Sequence, residues 1–125
     1  MSKPLTIYKA SAGSGKTFTL AVEYIKLLIR DPQNFRYTLA VTFTNKATEE
    51  MKTRILGKLY GIANSLPDAD DYMEQVSKAF PEKSERLIRS TAEEALQLLI
   101  HNYHYFRVET IDSFFQSVLR NLAHE

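Results

Sequence analysis

Cysteine is absent from the 125 residues, so neither a disulfide framework nor a thiolate metal site can be built, and nothing points to secretion. Net charge is nearly absent too. Sixteen basic residues against 15 acidic ones leave +1, which excludes a globally basic nucleic-acid binder of the histone kind and leaves room only for a local groove. Long apolar runs are also missing. The N-terminus lacks the roughly 7 to 15 apolar residues of a signal peptide. The most apolar helical pattern is broken by Glu23 and Lys26, so no segment reads as membrane-spanning. A soluble, cytoplasmic protein with no membrane partner is the expectation. Neither a repeat nor a low-complexity tract is present.

What remains is an ordinary globular composition. With 44% hydrophobic residues, a chain of this length forms one domain that buries about two-thirds of its unfolded surface.

Residues 10–17 read ASAGSGKT and carry the most chemistry. Gly13 and Gly15 allow backbone angles that a Cβ penalises, so that the N–H groups of Ser11, Ala12, Gly13, Ser14 and Gly15 can curl around a polyphosphate. Lys16 then reaches the terminal phosphates, and the Thr17 hydroxyl completes the shell of a bound Mg²⁺. A cation about 4 Å from a phosphate contributes roughly 4 kcal/mol at an effective dielectric near 20. A helix N-terminus contributes about 0.3 to 1 kcal/mol, so Lys16 dominates. The loop differs from the general GxxxxGK(S/T) form only in carrying Ala10 at the first glycine. Its flanks are right for a phosphate loop. Leu5, Ile7 and Tyr8 form a β-prone run before it, and Phe18, Val22, Ile25 and Ile29 follow at helical spacing until Asp31-Pro32 ends the pattern. Phe18 joins the nucleotide-binding candidates as the residue next to the loop.

A second strand is predicted at 37–43, YTLAVTF, whose nearly continuous apolar character suits burial on both faces. Ala47, Met51, Ile55 and Leu59 then repeat as one face of an amphipathic helix. Residues 64–71 read as a turn-rich loop. Two helical patterns follow, one with Tyr72, Met73, Val76 and Phe80, the other with Leu87, Ile88, Ala92, Ala95, Leu96 and Leu99. A third strand is predicted at 105–111 and a closing helix at 113–122. Strands alternating with helices imply βαβ crossovers and a mostly parallel sheet. The expected fold is α/β, a P-loop NTPase sheet flanked by helices, with only about three strands and thus the opening portion of something larger.

In order along the chain, ASAGSGKT, LAVTFTNKATEEMKTRI and TIDSFFQSVLR resemble the N-terminal motor domain of UvrD/RecB-like superfamily 1 DNA helicases, and most closely the RecB and AddA branch of helicase-nucleases. The resemblance covers the whole chain. It implies a RecA-like motor domain over 1–125, with a helical insertion at about 64–104. It also implies ATP and Mg²⁺ as ligands, single-stranded DNA as partner, a role in DNA repair, and association with the rest of a motor and a nuclease subunit. In that family the TFTNKA segment lines the DNA path, so the resemblance places Thr42, Phe43, Thr44 and Asn45 there, with Phe43 stacking on a base. On the residues alone, Phe43 reads instead as the last core residue of its strand, and Thr44 or Asn45 as a helix cap. The family's next DNA-contacting motif falls on 110–114. Thr110 and Ser113 carry over, whereas Asp112 stands where many members have His; a carboxylate repels phosphate, so Asp112 is expected to cap the closing helix.

No apolar run in the sequence ends in the adjacent Asp-Glu pair that the family uses to hold Mg²⁺ and activate water, which predicts little or no ATP hydrolysis by this chain alone. Two other readings stay open: a small phosphotransferase of the nucleotide-kinase kind, with Asp112 as its metal-binding acid, and a non-catalytic nucleotide-binding module. A GTPase fits less well, since Asn45-Lys46 is followed by Ala47 and Thr48 without the aspartate that guanine recognition wants. His101 and His104 lack accompanying carboxylates and read as a helix end. The aromatic run Tyr103, Tyr105 and Phe106 reads as packing, and Lys78, Lys83, Arg86 and Arg89 as a solvated surface.

Overall fold

A computed structural model describes residues 6–10 and 14–123 of the chain, with side chains from Thr17 onward; Leu5 and the loop residues Ser11, Ala12 and Gly13 lie outside the described residues. The chain alternates β1 (Thr6–Ala10), α1 (Ser14–Arg30), β2 (Thr38–Thr42), α2 (Asn45–Ala63), α3 (Asp70–Ala79), α4 (Glu85–His101), β3 (Arg107–Thr110) and α5 (Ile111–Ala123). Among the described residues the three strands form one parallel sheet in the order β1-β2-β3. It is an α/β arrangement in which helices predominate.

Each helix end has a local cause. α1 stops at Arg30 because Pro32 has no N–H to continue the ladder. Asp31 instead caps a 3-10 turn, Pro32–Tyr37, accepting from the Gln33 N–H at 3.0 Å. Asn34 then donates to the Leu27 carbonyl of α1 at 2.7 Å, which also accepts from the Asp31 N–H at 3.1 Å, so the turn is tied back to the end of the helix. At the far end of α2, Ser65 adopts a left-handed φ of 56°. Leu66 N–H returns to Gly61 C=O at 2.9 Å, closing the helix as a Schellman turn does. Gly61 is needed for the next contact: a Cβ there would come within 2.6 Å of the Ala69 Cβ.

The core lies on one face of the sheet. Leu20, Ala21, Tyr24, Ile25, Leu28 and Ile29 of α1 meet Met51, Ile55, Leu59 and Ile62 of α2, Tyr72 and Val76 of α3, and Ala92, Ala95 and Leu99 of α4. Ala40, Phe106 and Val108 supply the sheet's contribution. All five residues of β2 are buried, as its continuous apolar sequence predicts. Leu39 and Val41 alternate away from the main cluster, onto the face where Arg107 and Glu109 of β3 form an ion pair at 2.9 Å. α5 buries none of its residues, and Phe115, Leu119 and Leu122 are exposed along it.

Several predicted boundaries shift. The second strand is shorter than 37–43, because Tyr37 ends the 3-10 turn and Phe43 is exposed. The predicted loop at 64–71 holds a short 3-10 turn, Pro67–Ala69, and the start of α3. The third strand begins at Arg107, since Tyr103–Tyr105 forms another 3-10 turn. Of the aromatic run read as packing, Phe106 is buried, whereas Tyr103 and Tyr105 are exposed. Two of the four basic residues read as a solvated surface pair within their own helix, Lys78 with Glu74 and Arg89 with Glu85. Arg89 also donates to the Ile62 carbonyl at 2.7 Å, tying α4 to α2.

Tyr24 is wholly buried, 5.6 Å from the Phe106 ring, and its hydroxyl has no hydrogen-bond partner among the described residues. Burial pushes the phenol well above the usual tyrosine range. Because the fold keeps this phenol protonated while the unfolded chain ionises above about pH 10, stability falls as the pH climbs past that value, by up to about 1.4 kcal/mol per pH unit, and at pH 7 only the cost of the unpartnered hydroxyl remains. Tyr24→Phe is therefore expected to raise stability by about 1 kcal/mol at pH 7, by removing an orphaned polar atom. The gap over the parent should widen above pH 10 in urea titrations. A variant that melts no later than the parent at either pH refutes this reading of the hydroxyl.

Candidate nucleotide and nucleic-acid site

The sheet register brings the three sequence motifs into one row. Ala10 is the partner of Thr42, and Thr42 is the partner of Thr110. The carboxyl ends of all three strands therefore finish side by side, which is where open α/β sheets receive ligands.

β1 ends at Ala10 and α1 opens at Ser14, so Lys16 and Thr17 stand in the first turn of a 17-residue helix. No acidic residue lies in that turn. The first-turn N–H groups and the positive end of the helix dipole thus have no carboxylate of their own turn to oppose them. Thr17 is half-buried, and so is Phe18, whose ring meets Tyr72 edge-on at 4.8 Å. Part of the Phe18 surface is thus committed to holding α1 against α3. Burial raises the Tyr72 phenol, and Arg54, whose guanidinium donates to it at 3.3 Å, acts in the opposite sense.

Thr42 is buried, and its hydroxyl lies 2.6 Å from the Thr48 hydroxyl, 3.3 Å from the Thr44 carbonyl and 3.4 Å from the Glu109 carbonyl. One oxygen thus joins β2, the loop after it, α2 and β3. Thr42 was expected among the DNA contacts; with its hydroxyl committed inside the protein, it holds the loop in place for its neighbours. Thr44 is the N-cap of α2, accepting from the Ala47 N–H at 3.0 Å. Phe43, by contrast, is 53% exposed, so the reading of it as a core residue is wrong. Asn45 is exposed as the first residue of α2.

At the end of β3, the Thr110 hydroxyl accepts from the Ser113 N–H at 3.2 Å. Thr110 therefore performs the capping expected of Asp112, which sits exposed within the first turn of α5. The correction follows from position: Thr110 is the residue immediately before the helix, where an N-cap sits, and Asp112 is already its second residue. Ser113 is exposed beside it.

Sequence reasoning missed Thr48. Its signal was its place four residues after Thr44, one helical turn on, where its hydroxyl also donates to the Thr44 carbonyl at 3.2 Å. It missed as well a shallow groove along α2 lined by Glu49, Glu50, Thr53, Arg54 and Lys58. Lys58 there donates to the Asp68 carbonyl at 2.6 Å.

The family model for the UvrD/REP helicase N-terminal domain matches residues 1–125. The chain belongs to this family. It is similar to the RecBCD enzyme subunit RecB of Borreliella burgdorferi, 35% identical over 104 residues that take in 83% of this chain and 8% of the relative. It is 38% identical to the RecBCD enzyme subunit RecB of Haemophilus influenzae over 69 residues, 50% of this chain and 6% of that protein. An ATP-dependent helicase/nuclease subunit of Clostridium novyi is 47% identical over 57 residues, 44% of this chain and 4% of that one. These names support the RecB and AddA branch of the UvrD/RecB-like helicases. The chain spans less than a tenth of these relatives' lengths. No solved structure gives a significant match. Among the described residues of this UvrD/REP-type domain, no helix is long and apolar enough to cross a membrane.

Proposed function

We propose that the chain is the ATP-binding and single-strand-contacting N-terminal part of a P-loop, RecA-like motor domain in an ATP-dependent DNA helicase or helicase-nuclease of DNA repair, with a helical insertion at about 64–104. The observation that supports the reading is the row Ala10, Thr42, Thr110, since a nucleotide held after Ala10 and a strand held after Thr42 and Thr110 would meet one edge of one sheet. Ser11, Ala12, Gly13, Ser14 and Gly15 would cradle the phosphates, Lys16 would neutralise them, and Thr17 would hold Mg²⁺. The acid-free first turn of α1 fits such a polyanion. The bound Mg²⁺ would screen charge on the phosphates during transfer. Phe43 would stack on a base while Thr44, Asn45, Thr110 and Ser113 face the strand's sugars and phosphates, with Thr42 and Thr48 fixing their geometry.

Because no apolar run in these residues ends in Asp-Glu, binding without appreciable turnover is the expected behaviour. The remainder of the motor, and a nuclease subunit, are the partners that would complete it. DNA-stimulated hydrolysis by the purified chain faster than about 1 s⁻¹, a low figure for an enzyme, would contradict that idleness, whereas phosphoryl transfer that is indifferent to DNA, in a chain that binds no oligonucleotide, would favour the phosphotransferase reading.

Phe43→Ala is the direct test of the strand contact. Loss of one stacked base amounts to about 1 to 3 kcal/mol, so affinity for a labelled oligothymidine should fall roughly five- to 150-fold while Mg-ATP affinity stays put. Unchanged oligonucleotide binding would remove Phe43 from the site.

A further inference from the structure

A second surface has chemistry that the carboxyl edge of the sheet leaves unused. It lies at the amino ends of β2 and β3, where the 3-10 turns Pro32–Tyr37 and Tyr103–Tyr105 lead into the strands. The Arg36 guanidinium sits 5.1 Å from the Phe35 ring centre and 4.8 Å from that of Tyr105. It is held there by donating to Gln33 at 3.0 Å and to Asn102 at 3.3 Å. The His104 ring lies 4.2 Å from Tyr105. In the same turn, Tyr103 has the Lys52 ammonium 5.1 Å from its ring. Tyr103 and Tyr105 are nearly half exposed, at 46% and 45%. Among the described residues, neither Arg36 nor Lys52 pairs with a carboxylate.

Cations set among exposed rings, without acids to neutralise them, make a strip suited to a polyanion that also carries flat apolar groups. We propose that this strip is a second contact for single-stranded nucleic acid, with Arg36 and Lys52 on the backbone phosphates and Tyr103 and Tyr105 against the bases. An acidic protein segment would use the two cations and leave the rings without a role, which is why the nucleic acid fits better. The inference rests on the strand-binding reading of the chain only for the identity of the ligand. The residues are separate, since a five-residue strand of about 17 Å divides this strip from Phe43.

The test is the salt dependence of binding of the whole chain to a fluorescent oligothymidine of about 20 nucleotides. Each phosphate contact on a single strand contributes about 0.7 to the slope of log affinity against log salt. The pair R36Q and K52Q together should lower that slope by about 1.4, and an unchanged slope overturns the proposal. Should the pair lose its helical circular dichroism, K52Q alone carries the test with a change of about 0.7, because Lys52 donates no hydrogen bond in the described structure. Removing the rings with Y103A and Y105A should weaken binding about tenfold at fixed salt with the slope unaltered. Photo-crosslinking with the same oligomer separates the two surfaces. Cross-links confined to the Phe43 peptide overturn this proposal and leave the carboxyl-edge site standing; cross-links confined to residues 103–107 support it and count against Phe43. Displacement of the oligomer from the strip by polyglutamate as readily as by unlabelled oligomer would overturn it in favour of an acidic protein.

Discussion

Lys16→Ala is expected to reduce Mg-ATP affinity by about a thousandfold. At about 4 Å and an effective dielectric near 20, an ammonium facing a phosphate contributes roughly 4 kcal/mol, and each factor of ten corresponds to about 1.4 kcal/mol. The N–H groups of the loop and the first turn of α1 stay in place, so weak residual binding should remain. Calorimetric titration of both proteins with Mg-ATP measures the difference, and circular dichroism checks that the variant is folded. A loss of less than about threefold would show that Lys16 does not face a phosphate and that the loop has another purpose. Oligothymidine binding in the absence of nucleotide should be the same in both proteins.

Phe106→Ala is expected to be the most damaging single change to stability in the region of the site, costing about 3 to 5 kcal/mol, the usual range for deleting a buried aromatic ring. Phe106 is 2% exposed and stands immediately before β3, with its ring against Tyr24 of α1 and 6.0 Å from Tyr103. It anchors the amino end of the strand whose other end carries Thr110. The loss should appear as a lower urea midpoint with little change in slope, since the surface exposed on unfolding is nearly the same. A cost under about 1 kcal/mol would mean that the hole collapses and that β3 is held by its pairing with β2 alone. Phe106→Leu, which keeps most of the volume, should recover a good part of the loss.

These two residues mark what the sequence made legible and what it hid. The helices were legible, because apolar residues at four-residue spacing, as in Ala47, Met51, Ile55 and Leu59, leave little doubt about period. β2 was legible for the opposite reason, an unbroken apolar run too short for a helix. The ends were less so. Tyr37 and Tyr105 look like strand residues by propensity, yet both fall in 3-10 turns, whose three-residue period is too short to leave a pattern. At the site, the order of the three motifs was visible in the chain, but the row that aligns Ala10, Thr42 and Thr110 is a matter of register, which sequence spacing does not encode. The Thr42 to Thr48 hydroxyl pair was hidden because its partners belong to different elements. The exposure of Phe43 agrees with the resemblance and was missed only by the residues read alone, and the capping by Thr110 in place of Asp112 was hidden; both depend on where an element ends to within one residue.

The buried hydroxyl of Thr42 has a mechanical consequence. β2 is the middle strand, and this single oxygen touches the first turn of α2, the Glu109 carbonyl of β3 and the Thr44 carbonyl. The ends of β2 and β3 and the first turn of α2 thus meet at one point, and β1 ends beside it through the pairing of Ala10 with Thr42. β3 cannot slide past β2, nor α2 move off the end of β2, without breaking that junction. Whatever displaces the end of β2 is therefore felt at Phe43, at the start of α2 and at the end of β3 together.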